Sequence, residues 1–544
     1  MRIKRVIIDK FRSIYHLDFE IPKTGLCALV GPNNAGKSNI MKALSLILGE
    51  WHPAFAKHEE TDFYKKQKDE PFTIQVFFED NDEQIDSLVL DGKYGEKSDF
   101  YVNSTSGQQN RYVTNELREK FALVTIDANR NLHYHLGYSS KGTFMSKIAR
   151  SFDDLLKSEV YEDQKRTIKE SFDAIKSTFL KIQEFSDFEA ELKQYFNEQV
   201  KEESYDLELN FEAYNPINYF KSLQLIAKED GALIDLSQLG DGMKNLLMLA
   251  FFRSYAKSFR HDAIIAIEEP EIYLHPHARR HLYKTFRELA KGGSQIFYTT
   301  HSSSFIDVEH FDEVGLVTKE SGSSTKVRFV STRDLVDFCH KTDAIKATEQ
   351  NIRSFYKMAY TPRLSEGFFA NKIVLVEGLT EEFALPIYLK ALGCDIDSEG
   401  ISIISVNGKN NLARYYRMFK AFGIPVHVIF DNDLGENKKY EKSNEELMNI
   451  FSLSKEEVYR IDIASTKEEV TVLEKNFEMA LQKGLKLEEY EMPSYKELEK
   501  EAKEEMQSDS KGLIAKYIAN KVTGEGEFDY CVPEFIERLK KILV

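Results

Sequence analysis

Gly31-Pro32-Asn33-Asn34-Ala35-Gly36-Lys37-Ser38 fills the spacing GxxxxGK[ST] without exception. The apolar run before it, Leu26-Cys27-Ala28-Leu29-Val30, reads as a buried strand, and Asn39-Ile40-Met41-Lys42-Ala43-Leu44 after it opens a helix. A glycine-rich loop at such a junction turns successive backbone N–H groups toward a phosphate, at the positive end of a helix dipole. In that frame Asn33, Asn34 and Gly36 cradle the nucleotide, Lys37 reaches the β- and γ-phosphates, and the Ser38 hydroxyl ligates Mg2+. The expectation is an α/β domain that binds a nucleoside triphosphate.

Working outward, the 544 residues allow two to four domains. An apolar fraction of 42% with 30% charged residues suits a soluble chain with substantial cores. No apolar run approaches the ~18 residues of a membrane helix, and Asp9, Lys10 and Arg12 interrupt the N-terminal pattern where a signal peptide would need continuity. Cys27, Cys339, Cys394 and Cys531 form no CxxC pair, which argues against a zinc or disulfide framework and suits a reducing cytoplasm. The net charge of −16 disfavours a generally basic nucleic-acid surface but leaves room for a local basic groove.

Residues 2–21 alternate as two strands joined by a turn, and Pro71–Glu79 reads as another strand. Its Gln75 is either a metal-touching glutamine or a solvent-facing strand residue. Further on, Leu236-Ser237-Gln238-Leu239-Gly240-Asp241-Gly242 precedes a helical run, a second anion-binding device at a helix N-terminus. Then Ala263–Ile267 reads as a buried strand ending in Glu268-Glu269-Pro270-Glu271. Glu268 is placed to hold the Mg2+ water shell, and Glu269 to orient and polarise the attacking water. A further strand, Gln295–Thr300, delivers His301, a γ-phosphate contact or a structural histidine.

A heptad-like stripe runs through Ile168, Phe172, Ile175, Phe179 and Ile182, and Ser186 with Glu189 reads as a capping box for a second helix. This helical hairpin serves subunit contact or simple core packing. Arg130 is either an arginine finger or an exposed surface arginine.

A second chemistry begins beyond a polar helical stretch ending near Arg363. The strand Lys372–Val376 brings Glu377 to its C-terminal end, and Thr380 caps a helix carrying Glu381 and Glu382. The strand Ile401–Val406 runs into Asn407-Gly408-Lys409, and Val426–Phe430 ends in Asp431-Asn432-Asp433. Ligand sites of open parallel sheets lie at such strand ends. Carboxylates gathered there repel one another unless a cation sits among them, and hard oxygen ligands suit Mg2+ or Mn2+. On the helix 411–422, Arg414, Arg417 and Lys420 lie away from the apolar face, as a phosphate track or as a plain solvated face; Arg279-Arg280 is a second such pair.

The order of P-loop, Ser/Gly signature, strand with paired carboxylates and following histidine resembles the ABC-type ATPases of the SMC/RecF group. In that group the signature acts in trans, so Ser237 and Gly240 of one subunit would close on ATP held by Lys37 of another. Glu268 replaces the more usual Asp. Glu377 with the later Asp-x-Asp pair resembles a Toprim domain, and Phe368–Pro386 closely resembles the Toprim opening of the OLD (overcoming lysogenization defect) family. That resemblance implies an ATP-linked, metal-dependent DNA endonuclease of bacterial anti-phage defence, cytoplasmic and homo-oligomeric. A UvrD-like helicase or a retron reverse transcriptase with its RNA–DNA is then the implied partner. It further implies Glu377, Glu381, Asp431, Asp433 and Glu474 as metal ligands and a late lysine, Lys511 or, one helical turn on, Lys516, as stabiliser of transition-state charge. The division expected is 1–145 and 211–335 for the two parts of the ATPase, 146–210 for a helical dimerisation insertion, 336–366 for a helical connector, and 367–544 for the Rossmann-like Toprim nuclease. The rival expectation is an SMC/RecF-like ATP-dependent clamp that binds DNA without cutting it.

Overall fold

The computed structural model describes residues 2–49, 52–79, 81, 83–127, 148, 151–152, 154–179, scattered positions to 194, and 227–229, 232–234, 238–258, 262–320, 322–358, 362–432, 438–490, 492–524 and 532–544. Arg130, Ser237, Asp433 and, in the expected second hairpin helix, Glu189 and the residues from 195 on lie outside these residues.

Among the described residues, the first half contains two six-stranded sheets and a two-stranded ribbon. Strands β1 (Ile3–Phe11) and β2 (Ile14–Glu20) form the expected hairpin, and β4 (Phe72–Phe78), β5 (Ile85–Gly92), β6 (Asp99–Ser104) and β7 (Gln109–Asn110) extend it into an antiparallel sheet of order β2-β1-β4-β5-β6-β7. The other sheet has the order β14-β13-β3-β12-β11-β8, from β3 (Leu26–Val30), β8 (Leu123–Ile126), β11 (Ile264–Glu268), β12 (Gln295–Thr299), β13 (Val314–Thr318) and β14 (Lys326–Arg328). All its pairings are parallel except β13 with β14. A separate two-stranded ribbon joins β9 (Ala227–Glu229) to β10 (Ala232–Ile234).

Strand β3 is buried along its whole length because both faces are covered. With the side-chain period of two, Cys27 and Leu29 face helix α1 (Lys37–Leu48) and the core it shares with the antiparallel sheet, where Ile40 and Leu44 meet Ile8 and Ile74. Leu26 and Ala28 face the opposite core, with Leu282 and Phe286. The insertion contributes helix α2 (Glu162–Phe179), followed by the signature helix α3 (Asp241–Ser258) and α4 (Pro276–Lys291).

The C-terminal half is a five-stranded sheet of order β16-β15-β17-β19-β18, from β15 (Lys372–Val376), β16 (Ile401–Ser405), β17 (Val426–Asp431), β18 (Ala464–Thr466) and β19 (Val470–Leu473). Only the edge pairing of β18 with β19 is antiparallel among these. Between the halves stand α5 (Thr332–Lys341) and α6 (Glu349–Met358). This stretch reads as a polar connector, yet its apolar positions are buried: Leu335, Cys339, Ile352 and Tyr356 belong to one cluster that runs from Val30, beside the P-loop, to Ile373 and Phe430 of the C-terminal sheet. The two halves therefore share a core instead of being tethered.

The opposite face of that sheet is covered by α7 (Leu379–Ala391), through Leu385 and Leu389, and by α9 (Lys511–Thr523), through Ile514 and Ile518. Helix α8 (Lys409–Ala421) covers the face toward the shared core. It corrects one expectation: Arg417 is 2% exposed and donates to Thr342 Oγ1 (2.9 Å), the Thr342 carbonyl (2.8 Å) and Glu446. Lys420 is held by Glu469 at 2.7 Å. Both cations are neutralised by distant elements, so of the three expected track residues only Arg414 keeps an exposed side chain that no described carboxylate pairs.

Candidate functional sites: a nucleotide loop and a carboxylate cluster

Parallel pairing brings three strand ends together. The P-loop follows β3, His301 follows β12 and Glu268-Glu269 close β11, and these strands are immediate neighbours. Gly31 and Gly36 adopt φ of 140° and 110°, which L side chains rarely reach. A Cβ at Gly31 would lie 2.0 Å from the Val317 carbonyl oxygen, and one at Gly36 would lie 2.2 Å from Thr325 Oγ1. Thr325 Oγ1 donates to the Ala35 carbonyl at 2.8 Å, and Ser13 links Thr325 (2.7 Å) to Asn39 Nδ2 (2.6 Å), a hydroxyl network that shapes the loop. Helix α1 has no acid in its first turn, leaving its positive end uncompensated for an anion.

Lys37 is buried, and its ammonium donates to the carbonyls of Gly31 (2.8 Å) and Pro32 (3.0 Å). Burial lowers its pKa, while Glu269 and Glu271 pull it back up. His301 is shifted down by burial and by Lys37, against the same two glutamates. These four groups thus share one electrostatic site. Glu269 sits at φ 45°, a left-handed backbone for a non-glycine residue, with its N–H donated to the Thr299 carbonyl at 3.0 Å. Sequence reasoning missed Glu271. It is 8% exposed, and its Oε1 accepts from Thr300 Oγ1 (2.9 Å) and the His301 amide (2.6 Å), so it fixes the loop that presents His301. Gln75 donates to Ser87 at 3.0 Å within the antiparallel sheet, as a strand residue would. Gly240 is exposed at the start of α3, and a Cβ on Gly242 would meet the Tyr273 carbonyl at 2.8 Å, which ties the signature helix to the segment after the paired carboxylates. Arg279 donates to the Leu274 carbonyl at 2.8 Å and Arg280 pairs with His277 at 2.8 Å.

The second site lies at the ends of β15, β17 and β19. Glu377 Oε1 accepts the Asp431 amide at 2.8 Å, locking two acids from adjacent strands together. Glu381, in the first turn of α7, is 4% exposed and accepts from the Gly378 amide at 3.3 Å. Its carboxyl is held well above the usual range, by burial first and then by the charges of Glu377 and Glu478. A buried carboxyl pressed by like charges has a donor chemistry that fits a divalent cation, which would relieve both burdens. Glu474 follows β19, 32% exposed in its side chain, and is ion-paired with Lys483. Lys511 begins α9, 3.7 Å from Glu478, with its side chain 76% exposed; Gly512 abuts the Leu379 carbonyl, so this helix end packs against the start of α7. Lys516 lies on the exposed face of α9.

Lys409 was also missed. Its side chain is 0% exposed and its ammonium lies 3.9 Å from Glu377 Oε1. The signal was present: Gly408-Lys409 shares with Gly36-Lys37 a glycine of positive φ (115° against 110°) followed by a buried lysine at the first helical position after a strand, although the ψ angles differ (149° against 11°). Another set of metal-type groups, Asp307, Glu309 and His310, converges within 4.8 Å. There burial and the cations Arg287, Arg353 and Lys291 push His310 down to about 4. Three positive neighbours oppose a further cation, and Asp307 is already engaged in capping the Glu309 amide at 3.0 Å.

Fold and sites together define a P-loop ATPase joined to a Toprim domain. Residues 26–307, more than half of the chain, match the protein family described as "AAA domain, putative AbiEii toxin, Type IV TA system", and residues 368–433 match "Overcoming lysogenization defect protein-like, TOPRIM domain". The chain belongs to that AAA-domain family, and it carries an OLD-like Toprim segment over residues 368–433. It is 27% identical over 500 residues to the OLD nuclease of Thermus scotoductus, spanning 88% of this chain and 91% of the relative. It is 25% identical to the Old nuclease of Escherichia phage P2, spanning 80% of this chain and 78% of the relative. It is also 25% identical to the endonuclease GajA of Bacillus cereus, spanning 56% of this chain and 48% of that one. Among the described residues, no helix is long and apolar enough to cross a membrane.

Proposed function

We propose that this protein is an ATP-regulated endonuclease that hydrolyses phosphodiester bonds of DNA at the carboxylate cluster of its Toprim half, in defence against phage. The observation that carries the reading is the Glu377–Asp431 lock beside a buried Glu381 whose carboxyl is pressed by like charges. A scaffold has no use for such a cluster. Glu377, Glu381 and Asp431 would hold Mg2+ or Mn2+, with Asp433 and Glu474 as further ligands. When bound, the metal supplies a nucleophilic water at neutral pH and a positive charge for the leaving oxygen. The chain's own part is positioning. The Asp431 amide fixes the rotamer of Glu377, and buried Lys409 keeps positive potential beside it. The N-terminus of α8 carries no acid in its first turn, which favours an approaching phosphate. Lys511, at the matching end of α9, is the candidate for stabilising late charge.

The ATPase half acts as the regulator. Its core runs without a break from Val30 to Phe430, a physical route by which nucleotide state can bias the nuclease. Met243, Leu246 and Tyr273 are 56%, 40% and 65% exposed around the signature helix, which supports a second copy of the chain closing over this face with Ser237 and Gly240 against the ATP held by Lys37. Ile182 and Phe188, 46% and 58% exposed, support subunit contact through the insertion as well.

The test is nicking of supercoiled plasmid with Mg2+ or Mn2+, with and without ATP, by the wild type, Glu377→Ala and Lys37→Ala. Metal-dependent nicking lost in Glu377→Ala and altered in its ATP response in Lys37→Ala is expected. No nicking by the wild type under any metal and nucleotide condition would leave the DNA-binding clamp as the better account.

A further inference from the structure

A cleft of about 830 Å3 opens between α6, from the ATPase–Toprim junction, and the turn after β16 with α8. Its floor is the Ser405–Asn407 segment, which is continuous with the carboxylate site. The Val406 amide donates to the Val376 carbonyl at 3.0 Å, and the Gly408 amide to the Glu377 carbonyl at 2.8 Å. Anything lying in the cleft is therefore one turn of chain from the acids.

The lining has a definite chemistry. Phe355 and Tyr415 supply aromatic wall, Asn407 supplies an amide, Asn411 supplies an amide oxygen while its Nδ2 is held by the Val406 carbonyl at 2.9 Å, and Arg414 is the single charged residue among those that line it. The guanidinium carbon of Arg414 lies 4.2 Å from the Phe355 ring centroid, a stacking distance. Tyr356 Oη donates to the Arg414 carbonyl at 2.9 Å, so the two walls are fixed to each other. With Arg417 and Lys420 held by Glu446 and Glu469, Arg414 is the one of these three cations that faces the cleft. An aromatic ring layered with a guanidinium, flanked by amides and one cation, is the composition that takes an unstacked base and its phosphate. The volume admits a nucleotide and excludes a duplex.

We propose that this cleft binds a single unstacked nucleotide of the DNA strand adjacent to the bond being cut, with its base against the Phe355–Arg414 layer and its phosphate on Arg414. The proposal rests on the nuclease reading for the identity of the strand. Its function is to open the duplex locally and set the register of the neighbouring phosphate at Glu377 and Asp431.

The test is fluorescence anisotropy on the full chain without added metal, using a labelled single-stranded 12-mer, the same sequence as a blunt duplex, and unlabelled deoxynucleoside monophosphate as competitor. The proteins are the wild type, Arg414→Gln and Phe355→Leu, each checked by thermal melting. Because Arg414 is exposed, its variant remains informative should Phe355→Leu lose stability. The single strand should bind more tightly than the duplex, each substitution should weaken it about 10-fold, and Arg414→Gln should reduce the slope of log K against log salt by about one. Unchanged affinity in Arg414→Gln overturns the proposal. So does a mononucleotide that competes as strongly as the 12-mer, which would make the cleft a site for a free nucleotide. Plasmid nicking separates the two readings: strand binding that depends on Arg414 in a protein that never nicks supports the cleft and removes the nuclease. Metal-dependent nicking with unaltered KM in Arg414→Gln does the reverse.

Discussion

His427 offers a quantitative test of how tightly the Toprim sheet is built. It lies on β17, 1% exposed, with Nδ1 3.2 Å from the Glu468 carbonyl and Nε2 2.8 Å from Thr471 Oγ1. A carbonyl can only accept, so in the neutral ring Nδ1 carries the proton and Nε2 faces the threonine hydroxyl. Burial, the largest influence, pushes the imidazole from 6.5 down to about 4. Because the folded value is the lower one, the unfolded chain binds the extra proton first as pH falls through 6.5. Stability is therefore lost with acidification, from about pH 6.5 until the folded ring also titrates near pH 4. The linkage relation gives about 2 kcal/mol lost between pH 7 and pH 5, and about 3 kcal/mol over the whole window. The measurement is hydrogen exchange of the β17 segment across a urea titration at pH 7, 6 and 5, for the wild type and His427→Gln. The substitution sets its own baseline at pH 7, so the difference in slope isolates the imidazole. A wild type and variant that lose stability in parallel between pH 7 and pH 5 would refute the buried neutral ring.

Two other outcomes follow from the nucleotide loop. Saturating ATP at about 100 times its Kd should stabilise the wild type by about 2.7 kcal/mol, read as a rise in Tm, and Lys37→Ala should lose that rise while keeping its circular dichroism. Gly36→Ala must adopt φ 110° and push its methyl to within 2.2 Å of Thr325 Oγ1, and it should lose about 2–4 kcal/mol of stability, partly restored by adding Thr325→Ala; an undisturbed Tm in Gly36→Ala would contradict the loop geometry.

The sequence carried the parts of this protein whose chemistry is local. A strand, a glycine turn and a helix start are consecutive in the chain, so the P-loop, the Glu268-Glu269 strand end and the Glu377 strand end could all be read by eye. Residues whose role depends on distant neighbours could not. Arg417 looked like a solvated cation until Thr342 and Glu446 arrived from other elements to bury it. Glu271 gained its role only when Thr300 and His301 were set beside it across the sheet. The segment between the halves looked polar because just one face of each helix is apolar, and that face is the one buried in the shared core. Lys409 is the intermediate case, legible in principle from its likeness to Gly36-Lys37 but recognisable only once both glycines were seen at positive φ.

Under the proposed function, Glu377 and its neighbours are a metal-dependent cutting site controlled by a separate nucleotide site. The most direct test of that reading measures Mn2+ binding by electron paramagnetic resonance, together with cleavage of a labelled DNA, for the wild type and Glu377→Gln, with the ATP-induced rise in Tm as an internal control. The wild type is expected to bind Mn2+ and cut, whereas Glu377→Gln should lose Mn2+ affinity and cleavage but keep the ATP response. Undiminished cleavage by Glu377→Gln would contradict the proposed function.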